Sequence, residues 1–420
     1  MSARIRGYRG ATRAVLVGLA VSGAGCKAPA PDGAREERFG RGDTTVVRSW
    51  GRGVWGDTMT LVEELRLGAV EGRPEEHFGR VSALTVAADG TLYVTDLHGP
   101  IVRAYASDGT YLGPLGGEGS GPGEYRDPDG GLSVLPDGRI LLRDPPNARI
   151  NVYSRTGESL DHWRQPGLRT SRPLYVDRVN RSYNLVIALP ATESAPPVFG
   201  LARIDPEGAV IDTLLPPGRD HLDPMVHARD GDQTNSVPVP FTPRYQWTFS
   251  PLGYFVHGLS DEYRILLDAP GAPLRVERPG HVGARVVPDE AEAERRAITR
   301  NMRNTEPGWS WNGPDMPDVK PPFEELLVGR DGRVWVRVHQ TARRVVETVR
   351  TEAGDETIET WVEPLLFDVF EPDGSYLGAV RGPETGMSFW ASPVMDGDRM
   401  WAVTWDALDV AYVVRYRVGE

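Results

Sequence analysis

The chain of 420 residues has one cysteine, Cys26, so no intramolecular disulfide can hold its fold and a large apolar core must serve instead. Local signatures of chemistry are missing as well. The eight histidines show no HExxH or other tight ligand spacing, and no GxSxG marks a serine nucleophile. The glycine cluster at 116–123 lacks the GK[ST] ending of a phosphate loop and carries Pro122 where a third glycine of GxGxxG would stand. The acid clusters Asp127-Pro128-Asp129 and Asp230-Gly231-Asp232 stop short of a calcium loop with its closing Glu. Positive charge is scarce too. The net charge is −12, and setting aside the four arginines of residues 1–25 takes it to −16, which disfavours nucleic acid held through its phosphates.

What the chain does contain is 40% hydrophobic residues, 11 Trp and 14 Tyr, enough for a large core and too much for a disordered chain. Its 48 Gly and 36 Pro are scattered rather than clustered. They read as turn punctuation between many short strands, the composition of an all-β fold.

Residues 1–13 hold Arg4, Arg6, Arg9 and Arg13 and no acid; an apolar run at 14–20 follows, then Val21-Ser22-Gly23-Ala24-Gly25-Cys26. This succession is that of a signal peptide, and the run falls short of the roughly 20 residues that span a bilayer. With Ala24 and Gly25 directly before the lone cysteine, residues 1–25 resemble a bacterial lipoprotein signal. The resemblance implies cleavage before Cys26, lipid on it, and residence on the periplasmic or cell-surface side of a bacterial membrane. Residues 26–45, with Pro29, Pro31, Gly33, Gly40 and several charges, read as a flexible tether, and the folded domain is expected over 46–420.

Comparing the chain with itself exposes a repeat. Asp89-Gly90 followed by Thr91-Leu92-Tyr93-Val94 returns 48 residues later as Asp137-Gly138 followed by Arg139-Ile140-Leu141-Leu142. A second turn, Asp108-Gly109, returns at the same shift as Thr156-Gly157. Each glycine supplies the positive φ of a tight hairpin, and the apolar runs between turns have strand length. Four strands in about 40 to 50 residues, repeated, define a propeller blade. Carried forward, the pattern starts inner strands at Val81, Gly131, Leu174, Tyr245, Leu326 and Pro393, giving six blades. Later turns persist at Glu207-Gly208, Asp331-Gly332, Asp373-Gly374 and Asp396-Gly397, with Leu252-Gly253 as a degenerate form. The last unit lacks a fourth strand, and the run at 58–67, with Met59, Leu61, Leu65 and Leu67, is expected to supply it and close the ring.

The stretch 116–125 (GGEGSGPGEY), with Asp127-Pro128 and Asn147-Ala148-Arg149-Ile150, resembles NHL-type repeats of six-bladed propellers. The resemblance implies a rigid ring around a central channel. Members of that group include binding scaffolds and a few lyases and lactone hydrolases, so it implies a fold rather than an activity.

The residues just ahead of successive inner strands should converge at one mouth of the channel: Arg80, Asp127, Arg172, Arg244, Glu324 and Trp390. Guanidinium groups suit carboxylates, phosphates or sulfates, and indole suits a sugar or aromatic ring. An insertion at about 287–320 is expected to start a helix at Pro288-Asp289, with Glu292 completing a capping box and Ala291, Ile298 and Met302 on one face to about Asn304. The aromatic loop with Trp309 and Trp311 follows it and is expected to cover the mouth. A second insertion at about 341–361 should extend a hairpin. No cofactor is expected; calcium on the channel axis would need acids and amides around it, and Asp127 and Glu324 alone are too few. The function so implied is a lipid-anchored, non-catalytic binding or scaffold module for a peptide, glycan or protein partner, an anionic one suiting the mouth arginines, with the membrane as its other partner. A lyase or lactonase-like hydrolase working at the same mouth is the alternative.

Overall fold

The computed structural model describes residues 35–190, 197–218, 220–351, 354–406 and 408–420. The signal segment and Cys26 lie outside them. The described chain is all-β apart from one α-helix and two short 3-10 turns.

Its strands form three four-stranded sheets, one of six strands, one of eight and three two-stranded ladders, within which six successive units of four antiparallel strands can be traced. Their first strands begin at Val81, Leu132, Tyr175, Tyr245, Glu325 and Val394, each within one residue of the start expected from the repeat. The turns form for the reason the pattern gave: Gly90 and Gly138 sit at φ of 87° and 91°. The preceding aspartates accept from the backbone two residues on, Thr91 N to Asp89 at 3.0 Å and Arg139 N to Asp137 at 3.0 Å. Gly253 in the degenerate turn keeps φ at 88°. There the hydroxyl of Ser250 accepts from Leu252 N in place of the missing Asp.

Strands such as Leu92–Asp96 and Ile140–Asp144 are buried along their whole length. Both faces of each unit are covered, as in stacked sheets rather than one half-exposed sheet. Val86 and Val94 of the first unit pack on Trp401 and Val413 of the sixth. Tyr93 packs with Leu132 and Ile140, and Leu141 and Trp163 with Leu174 and Ile204. Tyr183 and Leu201 meet Phe249 and Phe255, Val256 and Ile265 meet Val336 and Phe370, and Trp335 and Phe367 meet Met400 and Val414. Each unit thus shares an apolar cluster with the next, and the sixth shares one with the first.

Strand Met59–Leu67 pairs antiparallel with Ala411–Gly419, where the last unit needed a strand, and touches Tyr376–Arg381 in parallel. The expected tether is wrong from residue 35 onward. Arg35–Arg41 and Thr44–Trp50 form a hairpin whose second strand runs parallel to Leu274–Glu277. Charge and glycine made this segment look like a linker; Val46 and Val47, both fully buried, hold it down.

The helix runs Pro288–Arg303. Its N-terminal partner is Glu290, which accepts from Val287 N at 3.3 Å, not Glu292, which is exposed and lies 3.7 Å from Arg296. Ile298 and Met302 pack on a hairpin, Met225–Asp230 with Gln233–Pro238, that the repeat did not foresee. A second hairpin, Arg343–Thr351 with Gly354–Val362, fills the other insertion. No helix among the described residues is long and apolar enough to cross a membrane.

Candidate functional site

Two adjoining clefts open where the inner strands of the third to sixth units begin. One, of about 310 Å³, is lined by Arg172, Trp247, Leu326 and Trp390. The other, of about 680 Å³, is lined by Arg244, Glu324, Arg337 and His339, with Glu290 and Ile298 of the helix as one wall. Gln246, Glu325 and Phe389 border both.

Of the residues expected at the mouth, Arg172, Arg244, Glu324 and Trp390 therefore line these clefts. Arg80 is one contact away, its guanidinium 5.0 Å over the Trp390 ring. Arg172 lies in the same way 4.9 Å over Trp247. Arg80, Arg172 and Arg244 have no carboxylate at salt-bridge distance among the described residues. A guanidinium stacked by its face keeps its in-plane N–H groups free.

Three expectations fail. Asp127 lines neither cleft; it pairs with Arg169 at 2.6 Å on the surface. Trp309 is 2% exposed, fills the core beneath the helix, and donates to the His227 carbonyl at 2.7 Å. Trp311 donates to the Pro314 carbonyl at 2.9 Å and carries Arg295 over its ring. The helix itself, not the tryptophan loop, walls the mouth. Glu324 is there but is held by Arg337 Nε at 2.8 Å. Among the described residues no three His, Cys, Asp or Glu side chains gather as a metal-ligand set.

The sequence reading missed a charged network in the larger cleft. Lys320, 1% exposed, donates to Glu290 at 2.6 Å and to Glu363 at 2.8 Å. Glu363 also faces His339 Nδ1, 3.1 Å from each of its oxygens, and accepts from Gln340 N at 2.8 Å. Burial alone would raise the Glu363 carboxyl, but these hydrogen bonds outweigh it and bring it down to about 2. Glu325, 3.4 Å from Arg337, is pushed the other way. Burial raises it, Arg337 and Arg172 oppose the rise, and Glu324 adds to it. One signal was available in the sequence. Lys27 and Lys320 are the only lysines among 47 basic residues, so a lysine in this chain marks a place that arginine does not fill.

A larger cleft of about 970 Å³ lies beside the N-terminal hairpin, lined by Arg48, Arg264, Glu277 and Arg278 among others. Several of its charges pair with one another or with neighbours, Arg48 to Glu277 at 2.8 Å, Arg264 to Glu262, and Arg278 to Asp368 at 2.5 Å, while Arg41 and Asp261 on its wall have no salt-bridge partner among the described residues. The mouth clefts, which bring Arg172 and Arg244 together with Trp247 and Trp390 where several inner strands begin, are the better candidate.

No family model matches the chain, and no curated protein sequence does. Solved structures do resemble it. A member of the DUF4221 family from Bacteroides vulgatus is 10% identical, with 86% of this chain and 98% of that one covered and a TM-score of 0.47. A gluconolactonase from Xanthomonas campestris is 15% identical, covering 85% and 99%, with a TM-score of 0.37. A virginiamycin B lyase from Staphylococcus aureus is 10% identical, covering 86% and 99%, with a TM-score of 0.36. At such identities and scores the likeness assigns neither activity nor site residues to this chain.

Proposed function

We propose that the six units form one closed six-bladed β-propeller of the NHL-like kind, exported and lipid-anchored at Cys26, whose mouth binds an acidic glycan. Closure is supported by the apolar clusters that link each unit to the next and the sixth to the first, and by the pairing of Met59–Leu67 with the last unit. Export and anchoring rest on the charged, apolar and small-residue order of residues 1–26.

The ligand class rests on one observation. Arg80 and Arg172 each hold their guanidinium carbon over an indole, with no carboxylate at salt-bridge distance among the described residues, so their N–H groups are available to a ligand carboxylate or sulfate while Trp390 or Trp247 packs on a sugar ring.

Titration calorimetry with oligogalacturonate and with a neutral oligoglucan of equal length tests the reading. Only the acidic chain should bind, and Arg172→Ala or Arg244→Ala should weaken it about 10- to 100-fold, the loss of one charged hydrogen-bond pair. Equal affinity for both sugars, or none for either, would sink the proposal. The anchor is tested separately: Cys26→Ser should leave the membrane fraction, or accumulate with its signal uncleaved.

A further inference from the structure

The mouth cleft of about 680 Å³ holds chemistry that binding alone does not use. The Glu363 carboxylate, kept ionised by Lys320, Gln340 N and His339, fixes the His339 imidazole with its proton on Nδ1. In the neutral ring this places the lone pair on Nε2, for which no hydrogen-bond partner is found among the described residues, and the ring lines the cleft. Glu324 lies 4.0 Å from the same Nδ1 and adds negative charge behind the ring. An imidazole on the wall of a cleft that is also lined by Arg244, which has no salt-bridge partner among the described residues, has the chemistry to remove a proton next to a carboxylate. Glu325, half-buried at the junction of the two clefts, stands where a leaving group would cross from one to the other.

We propose that this mouth cleaves 4-linked hexuronate glycans by β-elimination, an activity that rests on the acidic-glycan reading above. Arg244 pairs with the uronate carboxylate and so acidifies the neighbouring C5–H. His339 Nε2 takes that proton, the electron pair forms a C4–C5 double bond, and the C4–O bond to the next sugar breaks. The departing oxygen receives the proton of the Glu325 carboxyl, and His339 later returns its own proton through solvent to Glu325. The step consumes neither water nor oxidant and leaves a shortened glycan and an unsaturated uronate.

The test incubates the full chain with oligogalacturonate, follows the ultraviolet absorbance of the unsaturated product, and measures affinity in parallel. The wild type should make product. His339→Gln should lose about 10²- to 10⁴-fold in kcat while keeping its affinity and melting temperature. Glu363→Gln, which only positions the base, should lower kcat with KM little changed. Binding without product would overturn the elimination and leave the glycan reading standing, whereas absence of binding would overturn both. Undiminished product from His339→Gln would remove the base from this role.

Discussion

The first two units and the fourth and fifth treat the same position differently. Asp96 ends the second strand of the first unit, 1% exposed. It accepts from Gly79 N and His98 N at 3.0 Å, from Arg80 N at 2.9 Å, and from Arg103 at 3.0 Å. Asp144, 48 residues on, holds Arg126 N at 3.3 Å and Asn147 at 2.7 Å. Counted from the turn glycine, the fourth and fifth units have Leu259 and Val338 there. Their mouth loops are tied instead by hydroxyl and backbone groups, Arg244 N to the Ser260 hydroxyl and Ser260 N to the Arg244 carbonyl, both at 3.0 Å, and Glu324 N to the Arg337 carbonyl at 2.8 Å. Where the repeat is strict, a buried carboxylate fastens the loop. Where it has drifted, the charged side chains are left for the clefts.

Removing Met59–Leu67 should have the largest effect, because Ala411–Gly419 would lose its ladder partner and present an open edge. Size-exclusion chromatography should show aggregate; a monomer with wild-type melting would mean that the strand is dispensable. Next comes Asp96→Ala, which strands the buried Arg103 and three backbone N–H groups and should cost about 3–5 kcal/mol by urea denaturation. If it costs under about 1 kcal/mol, the contrast between strict and drifted units has no energetic basis.

Lys320→Met should also cost about 3–5 kcal/mol, since Glu290 and Glu363 stay behind without their cation. The pH dependence has a definite sign. Glu363, with its folded value lowered to about 2, contributes stability that is fully present above its unfolded value near about 4.3 and is lost as pH falls towards about 2. In Lys320→Met the folded value rises towards the unfolded one, so that acid decline should be smaller and end at higher pH, which chemical denaturation across the acid range would reveal. The smallest effect belongs to Arg172→Ala. Stacked but exposed, Arg172 should contribute about 1 kcal/mol at most to stability, so a variant that binds weakly yet melts like the wild type separates ligand contact from scaffold.

The turns and strand starts were legible because a positive φ restricts the residue that can occupy it and because the spacing recurs. The site was legible only in part. Arg172, Arg244 and Trp390 follow from strand register, since position before an inner strand determines which mouth a residue faces. Trp309 misled because an indole in a loop has the same sequence whether it meets a ligand or a local core, and only the hairpin at Met225–Pro238 decides. Asp127 misled because its arginine, Arg169, comes from a different loop. Glu290, Lys320, His339 and Glu363 come from a helix, a linker and two strand exits, and no spacing rule joins such elements.

The hairpin at Arg35–Trp50 has a mechanical consequence. It joins the fourth unit by parallel pairing from Thr45↔Leu274 to Arg48↔Glu277, while the next strand in the chain, Met59–Leu67, lies in another unit. A pull on the chain ahead of Arg35 is therefore met at the outer rim, by a ladder that must be dismantled before tension reaches Met59–Leu67. In the order of the chain, traction from the N-terminal end loads this hairpin and its partner strand Leu274–Glu277 before it loads the inner strands that carry the clefts.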